Sequence, residues 1–130
     1  MSPLAHEIYG ALHTAITDGV TELTYAELLD RLRLARRGTG RHAEPLPHRP
    51  RAPRFFAALT EVTLACRAIH IPTVAAIVCR SGAHRPADGF YKIAYPRVRS
   101  ETGRVARWRA ERDQLLAKPA LLPARIGDAP

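Results

Sequence analysis

Residues 73–80, TVAAIVCR, form a short apolar run rich in β-branched side chains, and a run of this kind reads as a buried strand. Residues 90–95, FYKIAY, offer a strand to return beside it. Between them, Ser81 to Gly89 is rich in turn residues, and Gly82 and Gly89 permit tight bends. The three pieces predict a small antiparallel hairpin. This stretch decides the fold, because the rest of the chain is helical in pattern or broken by proline.

Immediately upstream, Phe55, Phe56, Leu59, Val62, Cys66 and Ile69 fall on one helical face, and Ile71-Pro72 stops the helix. Before it, Arg36 to Pro53 holds Gly38, Gly40, Pro45, Pro47 and Pro50 and reads as a long loop. Thr24 and Glu27 have capping-box spacing ahead of Leu28, Leu29 and Leu32, which predicts another helix. Val20 to Leu23 is a short extended piece. The first helix starts at Ser2 and Pro3, carries Leu4, Ile8, Leu12 and Ile16 at every fourth position, and ends at Asp18-Gly19. Downstream, Ser100 caps a last helix to about Ala117, with Val105, Trp108, Arg112, Leu115 and Leu116 along one stripe. Three prolines and Gly127 follow, so residues 118–130 are expected to be a flexible tail, and residues 1–117 one domain. The element order predicts an α+β, winged-helix-like fold: three helices, a small antiparallel hairpin as the wing, and a C-terminal helix.

One domain is what 130 residues allow, and a core of this size needs no disulfide or metal. Apolar residues make up 46% but aromatics only 6%, so aliphatic and alanine packing must carry the core. Net charge is +8 and the isoelectric point about 10.5. Such a surplus attracts polyanions. Eighteen arginines against two lysines, with frequent alanine and proline, also match what a GC-rich coding sequence produces. Two cysteines are too few for a secreted disulfide framework. Met1 to Gly10 contains His6 and Glu7 and no apolar signal region, and no run of apolar residues is long enough to span a membrane, so a cytoplasmic location is expected.

ELTYAELLDRL (Glu22–Leu32), a following helix, IPTVAAIVCR and a later GFY together resemble the C-terminal DNA-binding domain of alkylguanine-DNA alkyltransferases and alkyltransferase-like proteins, over about Ile8 to Tyr91. In that family a strand enters after a proline-bearing turn and delivers a Pro-Cys-His-Arg motif. Pro72 precedes Cys79 by seven residues, the family's spacing. Val78 stands at the motif's proline and Arg80 at its histidine. With no histidine placed to activate Cys79, the resemblance implies a fold and a DNA-binding surface without the transfer chemistry. Leu59 to Tyr91 also resembles a group of small bacterial and mobile-element proteins, which implies the fold and no activity.

These features predict a non-enzymatic nucleic-acid-binding domain, with DNA favoured over RNA, that uses no cofactor. Phosphate contacts are expected from the loop (Arg36, Arg37, Arg41, Arg49, Arg51), the third helix (Arg54, Arg67) and the wing (Arg80, Arg85, Lys92). On the third helix, Glu61 would repel phosphates and Leu64 would be out of place in a groove. These two residues suit the alternative, an interaction module binding an acidic protein. The last helix adds Arg104, Arg107, Arg109 and Arg112, offset by Glu111 and Asp113. Cys66, His70, Cys79 and His84 have ligand chemistry for zinc but lack a tight Cys-x2-Cys knuckle, so no metal is assigned. Cys79 as a nucleophile needs a depressed pKa, and neighbouring Arg80 points to the other face of a strand.

Overall fold

The computed structural model of the chain describes residues 1–40, 42 and 44–126. Helix α1 (Pro3–Thr17) begins where the Ser2 hydroxyl accepts the N–H of Ala5 at 3.2 Å. Its every-fourth-residue stripe, together with Ala5, Tyr9 and Ala15, is buried. The helix stops at Asp18, and Gly19 turns the chain with φ +90°, a left-handed value that glycine adopts without strain. Strand β1 (Leu23–Thr24) leads into helix α2 (Tyr25–Arg36). Both halves of the capping box form: Glu27 N–H donates to the Thr24 hydroxyl at 3.1 Å, and Thr24 N–H donates to the Glu27 carboxylate at 2.9 Å. Helix α3 (Pro53–Ala68) opens with proline in its first turn and buries Phe55, Ala58, Leu59, Val62, Thr63 and Cys66. Helix α1 packs against both α2 and α3.

The architecture is α+β and mostly helical, and the expected antiparallel hairpin is absent. Thr73 accepts the N–H of Ala75 and starts a 3-10 turn, Val74–Ile77. Only Val78–Cys79 is extended, as strand β2, and it pairs in parallel with β1, Leu23 opposite Val78 and Thr24 opposite Cys79. The expected returning strand is a helix, α4 (Asp88–Ala94). Tertiary context overrides propensity here. Pro86 and Pro96 bracket the segment and cannot donate to a ladder. Helical spacing lets Tyr91, Ala94 and Tyr95 bury together, where alternation would have exposed some of them. With no returning antiparallel strand beside β2, residues 80–87 are a turn between β2 and α4 and not a wing.

Helix α5 (Glu101–Ala117) starts at Ser100, whose hydroxyl accepts Gly103 N–H at 3.0 Å. It packs on the 3-10 turn, where Trp108 Nε1 donates to the carbonyl of Ala76 at 2.8 Å. Where a flexible tail is expected, residues 118–126 fold back on α1. A short 3-10 turn, Pro119–Leu121, leads to Tyr9 Oη donating to the Pro123 carbonyl and His13 Nε2 lying 3.3 Å from that of Leu122, and Ile126 is buried. The expected tail's residues 127–130 lie outside the described residues. No helix among the described residues is long and apolar enough to cross a membrane.

One buried carboxylate ties the C-terminal half together. Glu111 on α5 takes both guanidinium nitrogens of Arg67 from α3, the Tyr95 hydroxyl at 2.6 Å and the Thr73 N–H at 2.8 Å. Burial alone would raise its pKa. The donors outweigh burial and hold the carboxyl below its ordinary value.

Candidate nucleic-acid interface

The loop between α2 and α3 is held down by arginines of the helices that flank it. Arg36 forms a bidentate pair with Glu7 of α1, Nε to Oε2 at 2.8 Å and Nη2 to Oε1 at 2.6 Å, and its Nη1 donates to the carbonyl of Glu44 at 2.8 Å. Arg33 reaches the carbonyl of His48 at 3.1 Å. Arg54 donates to the carbonyl of Pro45 and lies 3.6 Å from the Glu44 carboxylate. The loop then rises past Pro47, which is buried, and carries Arg49 and Arg51 outward, both exposed.

Arg49 and Arg51 meet Arg80 along one groove of about 710 Å³. None of the three has a carboxylate partner among the described residues, although Asp88 sits on the groove wall. Arg80 is placed by the turn after β2: its N–H donates to the Arg85 carbonyl at 2.8 Å, and Gly82 (φ +76°) permits the bend. Three further contacts fix the turn. His84 Nδ1 lies 2.9 Å from Glu22, Arg85 donates to Glu101 at 3.1 Å, and the N–H of Ala87 donates to the Tyr25 hydroxyl at 3.0 Å.

The groove ends on two aromatic rings, Tyr25 and Phe56, packed 5.3 Å apart at 54°. Those rings also wall a second cavity of about 310 Å³, whose other sides come from Leu59, Val78, Phe90 and Ile93. Lys92, exposed, is the charged residue on its lining. A row of cations therefore stands beside an apolar slot with aromatic walls.

The expected contact residues separate into groups. Arg49, Arg51 and Arg80 converge, and Lys92 borders the adjoining cavity. Arg36, Arg54, Arg67 and Arg85 are engaged by Glu7, Glu44, Glu111 and Glu101. Arg37 caps α2 and is exposed away from the groove lining. Arg41 lies outside the described residues. Compared with known proteins, the chain matches no family model, no curated protein and no solved structure.

The expected charged residues of helix α3 have partners within the protein. Glu61, at its centre, accepts Ser2 N–H at 2.9 Å and Ser2 Oγ–H at 2.7 Å, which pins the start of α1. Leu64 is 54% exposed, as its position on the outward face requires. Cys66 and Cys79 are buried free thiols. Burial, reinforced by the nearby Glu22 carboxylate, pushes the Cys79 thiol up to about 12. Among the described residues no group of three or more His, Cys, Asp or Glu is placed to hold a metal ion, so the Cys66, His70, Cys79 and His84 series is not assembled.

The sequence pattern does not mark Tyr25, Phe56 or Phe90 as site residues, and it places Phe56 on the core face with Phe55, which the structure corrects. A signal exists for Phe56. Adjacent helix positions lie about 100° apart, so Phe55 and Phe56 cannot both face the same core. Phe55 takes it, fully buried, and Phe56 turns toward the groove.

Proposed function

We propose that the protein is a nucleic-acid-binding domain, with DNA as its preferred ligand, that does no covalent chemistry. The phosphate backbone lies along Arg49, Arg51 and Arg80, and a base out of its stack rests on Tyr25 and Phe56 at the mouth of the apolar cavity. The convergence of three carboxylate-free arginines on a groove that shares its aromatic edge with an apolar slot is the observation that carries this. Guanidinium groups suit phosphate oxygens, and aromatic faces accept bases without regard to sequence. Glu61, Arg54 and Arg67 are spent on the fold, which favours backbone contact over base reading by α3.

The resemblance to the DNA-binding domain of alkyltransferases and alkyltransferase-like proteins supports the same role. So does the way the chain from Pro72 delivers Cys79 into a strand beside Leu23-Thr24. The fold proposed is a winged-helix variant in which the turn 80–87 stands in the wing's place. The thiol of Cys79 is buried and protonated at neutral pH, which favours binding without transfer.

A salt titration of affinity for duplex DNA, single-stranded DNA and RNA tests the proposal. Binding is expected to weaken linearly in log–log form. Replacing Arg49, Arg51 and Arg80 by Gln should flatten the slope by about 0.9 per lost duplex phosphate contact, or about 0.7 on a single strand. No binding at low salt, or an unchanged slope in the triple variant, overturns it. The exposed Leu64 of α3 and Ile69 at its C-terminal cap favour the second reading, an acidic protein partner. Co-purification of one protein that survives nuclease treatment and is lost on Leu64→Ser would support that instead.

A further inference from the structure

Arg33, Arg36 and Arg54 point away from the groove, yet all three end on the loop that supplies two of its arginines. Each donates to a loop carbonyl, those of His48, Glu44 and Pro45 in turn. Arg36 is the anchor: its side chain is only 14% exposed, and both of its remaining donors go to Glu7 on α1. The chain between α2 and α3 is thus fastened to α2 and α3, with Arg36 braced in turn on α1, around the point where it presents Arg49 and Arg51. A loop of this length with three prolines and two glycines has, among its described residues, no ladder or helix of its own to order it.

We infer that Arg33, Arg36 and Arg54 are positioning residues that hold Arg49 and Arg51 over the groove, so that the loop is ordered on folding and not at the cost of binding. This rests on the groove being the ligand-binding face. The clamp arginines touch carbonyls and carboxylates, so they contribute affinity without contributing phosphate contacts. Arg49, Arg51 and Arg80 do the opposite, and the two sets should separate in a salt titration.

Glu7→Gln is the deciding variant. It frees Arg36 while leaving every arginine in place, and Glu7 lies outside the groove lining. It also removes a negative charge, so long-range electrostatics alone predicts tighter binding. The clamp predicts weaker binding, by about 2- to 12-fold for each side chain that must be immobilised again, with the salt slope unchanged. Arg33→Gln, at an exposed position, should act in the same direction if Glu7→Gln disturbs α1. A short labelled DNA is the probe, and melting temperature checks the fold. Trypsin cleavage after Arg51, which precedes Ala52, reports loop order in the free protein without any ligand, and it should accelerate in both variants.

Tighter or unchanged binding by Glu7→Gln overturns the inference, as does a slope reduced as though a phosphate contact had gone. If the wild-type protein binds no nucleic acid, the assignment of the groove fails and the positioning role goes with it. Faster trypsin cleavage in Glu7→Gln would then still show that the clamp orders the loop. Failure of the groove and failure of the clamp therefore give different results.

Discussion

At the scale of single residues, arginine identity is a poor guide to arginine use. Arg36 and Arg49 are the same side chain on the same loop boundary region, but one is folded into a carboxylate and a carbonyl and the other is left to solvent. Sequence gives the inventory of cations. Which of them are neutralised depends on Glu7, Glu44, Glu101 and Glu111, three of which are distant in the chain from the arginine they bind. The Glu111 hub allows a direct check. Arg67→Ala should cost about 1.5–3 kcal/mol, the range for a hydrogen bond to a charged group, and the low end is expected because the Arg67 side chain is 37% exposed and screened by water. The pH dependence has a definite sign. The folded pKa of Glu111 is depressed, so its contribution is present above the unfolded glutamate value of about 4.3 and is lost as pH falls through the lower folded value. Urea melts from neutral to acid pH should show that limb in the wild type and a shallower one in Arg67→Ala.

At the scale of elements, helix ends were legible and strands were not. Ser2, Thr24 and Ser100 each form the cap that their spacing predicts, because a cap is a local bargain between a side chain and an N–H three residues on. The run 73–80 was not decided locally. Its β-branched residues suit a strand, but Thr73 caps a 3-10 turn, and β2 finds its partner in β1 far upstream. Gly103 was equally silent. A glycine in a helix reads as a cost of about 1 kcal/mol, whereas here a Cβ would stand 2.8 Å from Ser100 Oγ and 2.9 Å from Val98 Cγ1. Gly103→Ala is therefore expected to destabilise the protein by about 1–3 kcal/mol, as overpacking does, despite alanine's better helix propensity. A gain in melting temperature would show that the cap can shift to make room.

At the scale of the molecule, the helical core was readable from periodicity, and the site was not. A groove made by one loop, one turn and three helices has no motif, since its residues are united only by the fold. Residues 118–126 also belong to that fold. Deleting residues 119–130 removes Ile126 from the core and leaves the buried Tyr9 hydroxyl without its acceptor. Loss of about 2–5 kcal/mol is expected, the range for emptying a buried aliphatic site; a truncated chain that melts like the full one would show these contacts to be dispensable.

The small parallel ladder has a consequence in time. It joins residue 23 to residue 78, and a contact of such separation closes late, after the local helices have formed. During synthesis the loop arginines leave the ribosome well before Val78, Arg80 and Phe90 do. A nascent chain would then carry the charge that attracts polyanions without the slot that the proposed ligand requires. Weak, salt-sensitive sticking should precede specific capture, and the switch from one to the other should coincide with the pairing of two short strands.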